Sequence, residues 1–448
     1  MKSVLQTLRR GAVVNNPSGP SGTHSPFEVS VEDVSADGFG SGSVANEYEA
    51  NKVTQADESL QASRSERSKH MPALDGLRGL AILSVLLIHN LSPLPTYGNR
   101  FAGVLTWLHS AGWVGVDLFF VLSGFLITGI LLDSRESDHF FRNFYARRFL
   151  RIFPLYYAFL FVMIVVLPAV GVRYFGLEVV REEQGWLWSY CANILMLVRR
   201  AWVYPDDFAH FWSLAVEEHF YLIWPFIVFG CNRSRLLYVC GALIVIAVVA
   251  RLICIATSQP YVVTYTFTLC RLDSLAVGAI VATLLRSKID ENSLRRWAVG
   301  SLAITAAVLA YTMWSRKGLF IGDWTIQSYG FSFLAILFGS VVCLVTMPTG
   351  PHVLQKMLSS PMLTVFGKFS YGLYIYHPAI RNALRQLWPA IAPVGENAPI
   401  IQNVTFFLTS IVLTFLVSWA SWSLFEVHFL KIKRHFDYNS SRSAKGAA

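Results

Sequence analysis

Residues 74–90 read LDGLRGLAILSVLLIHN. Apart from Asp75, Arg78 and His89 the stretch is apolar or small. Extended to residue 94 it reaches the roughly 20 residues that a bilayer-crossing helix needs. Arg78 and His89 stand eleven residues apart, and at 3.6 residues per turn that spacing returns almost to the same helix face. A rise of 1.5 Å per residue separates them by about 16 Å, with Arg78 near one membrane edge and His89 deep in the span or past its middle. Nine further apolar segments follow near 112–132, 152–172, 211–230, 236–256, 261–286, 297–314, 326–347, 361–380 and 400–427. The fold class is therefore all-α, a polytopic membrane protein of about ten transmembrane helices. An eleventh stretch, 186–203, contains Asn193 and ends in Arg199 and Arg200, and is expected to be interfacial or re-entrant.

The composition agrees. Of 448 residues, 54% are hydrophobic and 15% charged, against about 25% charged in ordinary soluble domains. The net charge of +9 in so apolar and aromatic a chain does not describe a nucleic-acid binder. Residues 1–70, with NPSGPSGTHSP and ADGFGSGSVANE, are slightly acidic and rich in Gly, Ser and Pro. They form an expected disordered arm. No apolar segment follows Lys2, Arg9 and Arg10 as a secretory leader requires, so the arm is expected to stay attached and cytoplasmic. The positive excess belongs to residues 71–430, the membrane domain, and to the basic tail 431–448.

Lys and Arg retained on the cytoplasmic side fix orientation. With the N-terminus inside, the inner stretches collect Arg135, Arg142, Arg147, Arg148, Arg151, Arg286, Lys288, Arg295, Arg296 and the tail cations, whereas the outer stretches are sparser. Ten spans then put both termini in the cytoplasm. The cysteines, Cys191, Cys231, Cys240, Cys254, Cys270 and Cys343, lack the spacing of a metal or disulfide framework, and no metal site is expected.

Ionisable groups inside a bilayer are expensive, and each is a functional candidate until a partner explains it. Arg78 and His89 admit two readings: a snorkelling cation with a satisfied imidazole, or an anion grip paired with a catalytic base. Asp117 lies in GWVGVDLFFVLSGFLITGILL, two turns from Gly124 on the same face, and is either structural or catalytic. Arg147, Arg148 and Arg151 stand together in FYARRFLRIFPLYY. In FWSLAVEEHFYLIWP the consecutive Glu217, Glu218 and His219 cannot all face lipid, and entry from outside would set them near the outer surface. Arg271 and Asp273 are expected to form a buried ion pair with each other. Tyr371 and His377 lie in FGKFSYGLYIYHP, with His377 expected at the interface, and Glu426 is a local charge partner.

Taken in order, LDGLRGLAILSVLLIHN, GVDLFFVLSGFLI, RRFLRIFPLYY, FWSLAVEEHFYLIWP, RLDSLAVGAI and FGKFSYGLYIYH resemble the acyltransferase 3 family of integral-membrane acyltransferases over roughly residues 71–430. The resemblance implies transfer of an acyl group, usually acetyl from cytoplasmic acetyl-CoA, to a hydroxyl of a carbohydrate or glycolipid in the bacterial inner membrane. It assigns Arg78 and His89 to the essential first-span motif, Arg148 and Arg151 to donor binding, and Glu217 to the W-S-L-x-V-E segment. His89 is then general base or acyl carrier, with Glu217 or Asp117 holding its imidazole. Arg271, Asp273, Tyr371 and His377 remain acceptor or structural candidates. Some family members carry a hydrolase-like C-terminal domain. This chain runs only about 20 residues past its last span, as a stand-alone member would. A secondary transporter of a saccharide or lipid-linked intermediate is the competing class.

Overall fold

The computed structural model describes residues 71–91, 109–391 and 399–438. The expected disordered arm, and the tail beyond residue 438, lie outside the described residues. The principal helices are α1 (Pro72–Asn90), α2 (Val114–Asp133), α3 (Phe140–Phe161), α4 (Ala192–Arg199), α5 (Phe211–Gly230) and α6 (Arg233–Ala256). They are followed by α7 (Thr268–Leu284), α8 (Glu291–Ser315), α9 (Phe331–Thr346), α10 (Pro361–Lys368), α11 (Ser370–Ile391) and α12 (Pro399–Ser421). Among the described residues there is no strand, and the protein is an all-α polytopic membrane protein.

Among the described residues eight helical segments are long and apolar enough to cross a membrane. Of the ten expected segments, two fall short on that measure. α5 keeps the full length but carries Glu217, Glu218 and His219, and the expected span at 361–380 is broken between Lys368 and Ser370 into α10 and α11. The 186–203 stretch does not cross: a positive φ at Tyr190 divides it into Gln184–Trp188 and α4, each far below a bilayer's thickness.

α2 lies at the centre, with 72% of its apolar window buried, whereas α6, at 17%, turns Val245 and Ile253 outward. α1 and α7 pack on α2, and α10 packs on α1. The α2–α7 contact depends on Gly124 and Gly278. A methyl group on Gly124 would lie 2.0 Å from Leu275 O, and one on Gly278 would lie 2.1 Å from Val121 O. Small residues let two backbones approach in this way.

Along the same contact lie four charges with no exposed side-chain surface. Arg271 pairs with Asp117, which also accepts from Ser274 Oγ at 3.1 Å, while Arg251 of α6 pairs with Asp273 at 2.9 Å. The expected Arg271–Asp273 pair is therefore corrected. Two residues on, a helix has turned by about 200°, so Arg271 faces α2 and Asp273 faces α6. Arg251, which sequence reading passed over, is the missing partner.

The last described residues, 433–438, fold back onto α3. Asn143 Nδ2 donates to Asp437 O at 3.0 Å and Arg147 reaches Asp437 Oδ1 at 2.7 Å. Arg147 is thereby occupied outside the central cavity.

Candidate active site

α1, α2, α3, α5 and α11 converge on a cavity of about 130 Å³. Arg78, Arg148, Arg151, Glu217, Glu218 and Tyr371 all line it, together with Ser123, Ser213, Tyr221 and Tyr374. The cavity thus unites three cations from two helices more than sixty residues apart in sequence. Arg78 is held by Asp75 at 2.8 Å, one turn before it on α1. Arg148 lies over the Tyr221 ring, 4.3 Å from its centre, a cation–π contact that fixes the guanidinium while leaving its N–H groups free to bind an anion.

Glu217 accepts from Ser123 Oγ, which in turn accepts from Tyr221 OH at 2.8 Å. His219, two residues after Glu217 and so about 200° round the helix, turns away to Thr268 Oγ1 at 2.9 Å. The three consecutive residues of α5 thus divide between the cavity and the α7 side. Glu217 and Glu218 keep company with the arginines and not, as expected, with the outer surface. Tyr371 donates to Ile152 O at 2.6 Å, tying α11 to α3 beside Arg151.

His89 does not line this cavity. It lies beyond the wall formed by Tyr374 and Ser213, whose hydroxyls are 2.6 Å apart. Its ring meets that of His377 edge to face at 5.0 Å between centres, and His377 meets His210 at 5.2 Å. Tyr374 joins the two compartments: it lines the cavity, donates to His210 O at 3.0 Å and touches both the His210 and His377 rings. His89 Nδ1 lies 2.9 Å from Val85 O, a bond that a neutral ring makes by donating from Nδ1, leaving Nε2 as a lone pair.

One expectation is corrected here. Neither Glu217 nor Asp117 holds the His89 imidazole, because Glu217 is engaged by Ser123 and Asp117 by Arg271; the orienting partner is the Val85 carbonyl of α1 itself. His377 is fully buried, packed against His89 near the end of α1. Arg381, one turn after His377, donates to His89 O at 2.8 Å and to Asp206 at 2.6 Å. His210 was missed. Its signal was faint: a histidine just after an acidic pair, Asp206 and Asp207, at the start of α5. Burial pushes the Asp207 carboxyl above its usual range, opposed by the Asn382 amide that donates to it at 2.8 Å and by the charge of Arg381. Among the described residues no group of three His, Cys, Asp or Glu is arranged to hold a metal ion.

Geometrically, the site is a cationic chamber and, behind the Tyr374–Ser213 wall, a cluster of three imidazoles. The family model of an acyltransferase domain matches residues 71–423. A peptidoglycan O-acetyltransferase of Listeria monocytogenes is 30% identical over 75% of this chain and 55% of its own length. A putative O-acetyltransferase of Staphylococcus aureus is 26% identical over 82% of this chain and 59% of its own. A putative peptidoglycan O-acetyltransferase of Bacillus subtilis is 30% identical over 70% and 49%. The chain spans about half the length of these relatives. No solved structure matches it.

Proposed function

Because the chain belongs to the acyltransferase 3 family of membrane acyltransferases, we propose that it carries an acetyl group from cytoplasmic acetyl-CoA to a saccharide hydroxyl presented at the outer face of the plasma membrane. The observation that carries this reading is the gathering of Arg78, Arg148 and Arg151 in one chamber whose far wall, Tyr374, also touches the histidine cluster.

The CoA phosphates dock on the arginines through charge-assisted hydrogen bonds, and the pantetheine arm carries the thioester toward His89, a passage that requires the Tyr374–Ser213 pair to part. The distance from Arg78 to His89 along α1, about 16 Å, is within that arm's reach. His89 Nε2, free as a lone pair, takes the proton of the acceptor hydroxyl. The hydroxyl oxygen forms the new C–O bond as the C–S bond breaks, and the departing thiolate recovers the proton as free CoA. Glu217 and Glu218 temper the positive chamber so that donor binding stays reversible.

The test is acetyl transfer from acetyl-CoA to a saccharide by the purified full chain in detergent. His89→Ala is expected to lower transfer by about 10²–10⁴-fold, the usual worth of a general base, with helical content and acetyl-CoA binding unchanged. The double variant Arg148→Ala/Arg151→Ala is expected to raise the acetyl-CoA KM by about tenfold or more. Full activity in the His89 variant, or a change confined to the acceptor in the arginine variant, overturns the assignment.

A further inference from the structure

The histidine cluster carries more than one base requires. His377 is fully buried. Its Nδ1 lies 2.8 Å from Tyr374 O, on its own helix, and its Nε2 has no hydrogen-bond partner. With Nδ1 committed to the helix, the opposite edge of the ring faces away from α11, where the His89 and His210 rings lie. His210 is also buried, and neither of its ring nitrogens makes a well-aligned hydrogen bond. A buried acceptor without a donor is costly: with Nδ1 donating in both, His89 and His377 each offer a lone pair at Nε2, and His210 adds one N–H and one lone pair, so the three rings hold three acceptors against one donor. Something that brings donors completes the cluster.

His89 is only partly buried, and beside it stands the Arg381–Asp206 ion pair. Arg381 is 5% exposed and Asp206 67% at the side chain. The cluster therefore opens toward the C-terminal half of α11 that carries Arg381, and is closed on the donor side by the Tyr374–Ser213 pair.

We propose that His89, His210 and His377 form the acceptor subsite, and that it takes a sugar presenting two neighbouring donor groups, O–H or N–H, rather than a lone alcohol. This rests on the acyltransferase reading above. One hydroxyl donates to His89 Nε2 and is the nucleophile, and the second donor group of the same sugar bonds to His377 Nε2 and fixes which hydroxyl reacts. The His89 and His377 rings are direct neighbours, 5.0 Å between centres, so one bound molecule can meet both. His377 is a specificity-determining residue, and His210 backs its ring.

Two acceptors of similar size separate this from a structural role. Methyl α-glucoside offers a hydroxymethyl group with hydroxyls beside it, and cyclohexylmethanol offers the hydroxymethyl group alone. With acetyl-CoA as donor, the full chain is expected to favour the glucoside by at least about tenfold in kcat/KM, since a site built to accept a hydrogen bond rejects an analogue lacking the donor. His377→Phe keeps the ring and removes the lone pair, and is expected to abolish that preference while leaving the acetyl-CoA KM unchanged. His377→Gln, whose amide oxygen accepts, is expected to restore it. His377→Leu serves should the phenylalanine variant fail to fold. Calorimetric binding of methyl α-glucoside, weakened in His377→Phe and recovered in His377→Gln, reads the same site without catalysis. A glucoside preference that persists in His377→Phe, or equal use of both alcohols by the parent chain, overturns the subsite. No transfer to either alcohol, with glucoside binding still dependent on His377, overturns the acetyltransferase reading and leaves the subsite standing.

Discussion

Asp117, Arg271, Asp273 and Arg251 bring two positive and two negative charges into the centre of the bundle with no exposed side-chain surface. Taking a charge out of water costs several kcal/mol even after relaxation, so each depends on its partner. Arg271 is further held over the Phe331 ring at 4.0 Å, while Ser332 Oγ and the Cys270 carbonyl complete the Arg251–Asp273 pair. Asp117→Asn leaves Arg271 an uncompensated buried cation and is expected to destabilise the protein by about 3–5 kcal/mol. Replacing both members, as Asp117→Leu with Arg271→Met, is expected to recover most of that loss. Thermal unfolding in detergent measures both, and equal destabilisation by the single and double changes would show that the pair is not a pair. Sequence identified three of the four charges because an ionisable group in an apolar run stands out locally. It could not identify who pairs with whom, because Arg251, Asp117 and their partners are separated by 22 and 154 residues. The same limit hid His210, whose neighbour His377, and through it His89, lie on other helices.

Helices were more legible than their contacts, since length and apolarity are local properties whereas the face a helix buries is decided by its neighbours. Glycines mark the difference. Gly278 and Gly300 both lie in apolar helices and look alike in sequence. A methyl group on Gly278 would meet Val121 O at 2.1 Å, whereas at Gly300 on α8 there is nothing within 4 Å. Gly278→Ala is expected to force α2 and α7 apart and destabilise by about 1–3 kcal/mol, as overpacking does. Gly300→Ala is expected to be neutral or to stabilise by about 0.5–1 kcal/mol, because alanine loses less backbone freedom in a helix. The rate at which buried Cys240, Cys270 and Cys343 react with a thiol probe during heating reports the order, and a Gly278 variant as stable as Gly300→Ala would contradict the close-contact account. The break between α10 and α11 was not legible at all: residues 361–380 read as one apolar run, and only the packing of α10 on α1 and of α11 on α12 separates them.

At the scale of the molecule the open question is whether α5 and α11 cross the membrane, since apolarity alone accounts for eight spans. The ends of α5 answer it. At its C-terminal end Arg135, just past α2, donates to Phe229 O and Cys231 O, and Asp133 of α2 pairs with Arg286 just past α7. One end of α5 therefore lies level with the exits of α2 and α7. At its other end His210 joins His377 and, through it, His89 at the end of α1. A helix of 20 residues covers about 30 Å, the thickness of the hydrocarbon core, so α5 makes the same crossing as α2 while hiding its carboxylates in the cavity. α11, at 22 residues, is also long enough, about 33 Å; its contacts with the Ile152 and His89 carbonyls, through Tyr371 and Arg381, fix about 15 Å of that length. Counted with these two, the described residues hold ten helical segments long enough to cross, and the expected cytoplasmic N-terminus predicts the α6–α7 connection at Thr257 outside and the start of α8 at Asn292 inside. Without α5 the two would exchange sides. Cysteines introduced one at a time as Thr257→Cys and Asn292→Cys, probed in intact cells with a membrane-impermeant maleimide against the parent chain as baseline, are expected to label at 257 and not at 292. The reverse pattern would remove α5 from the membrane and with it the level placement of Glu217 beside the donor arginines on which the proposed chemistry depends.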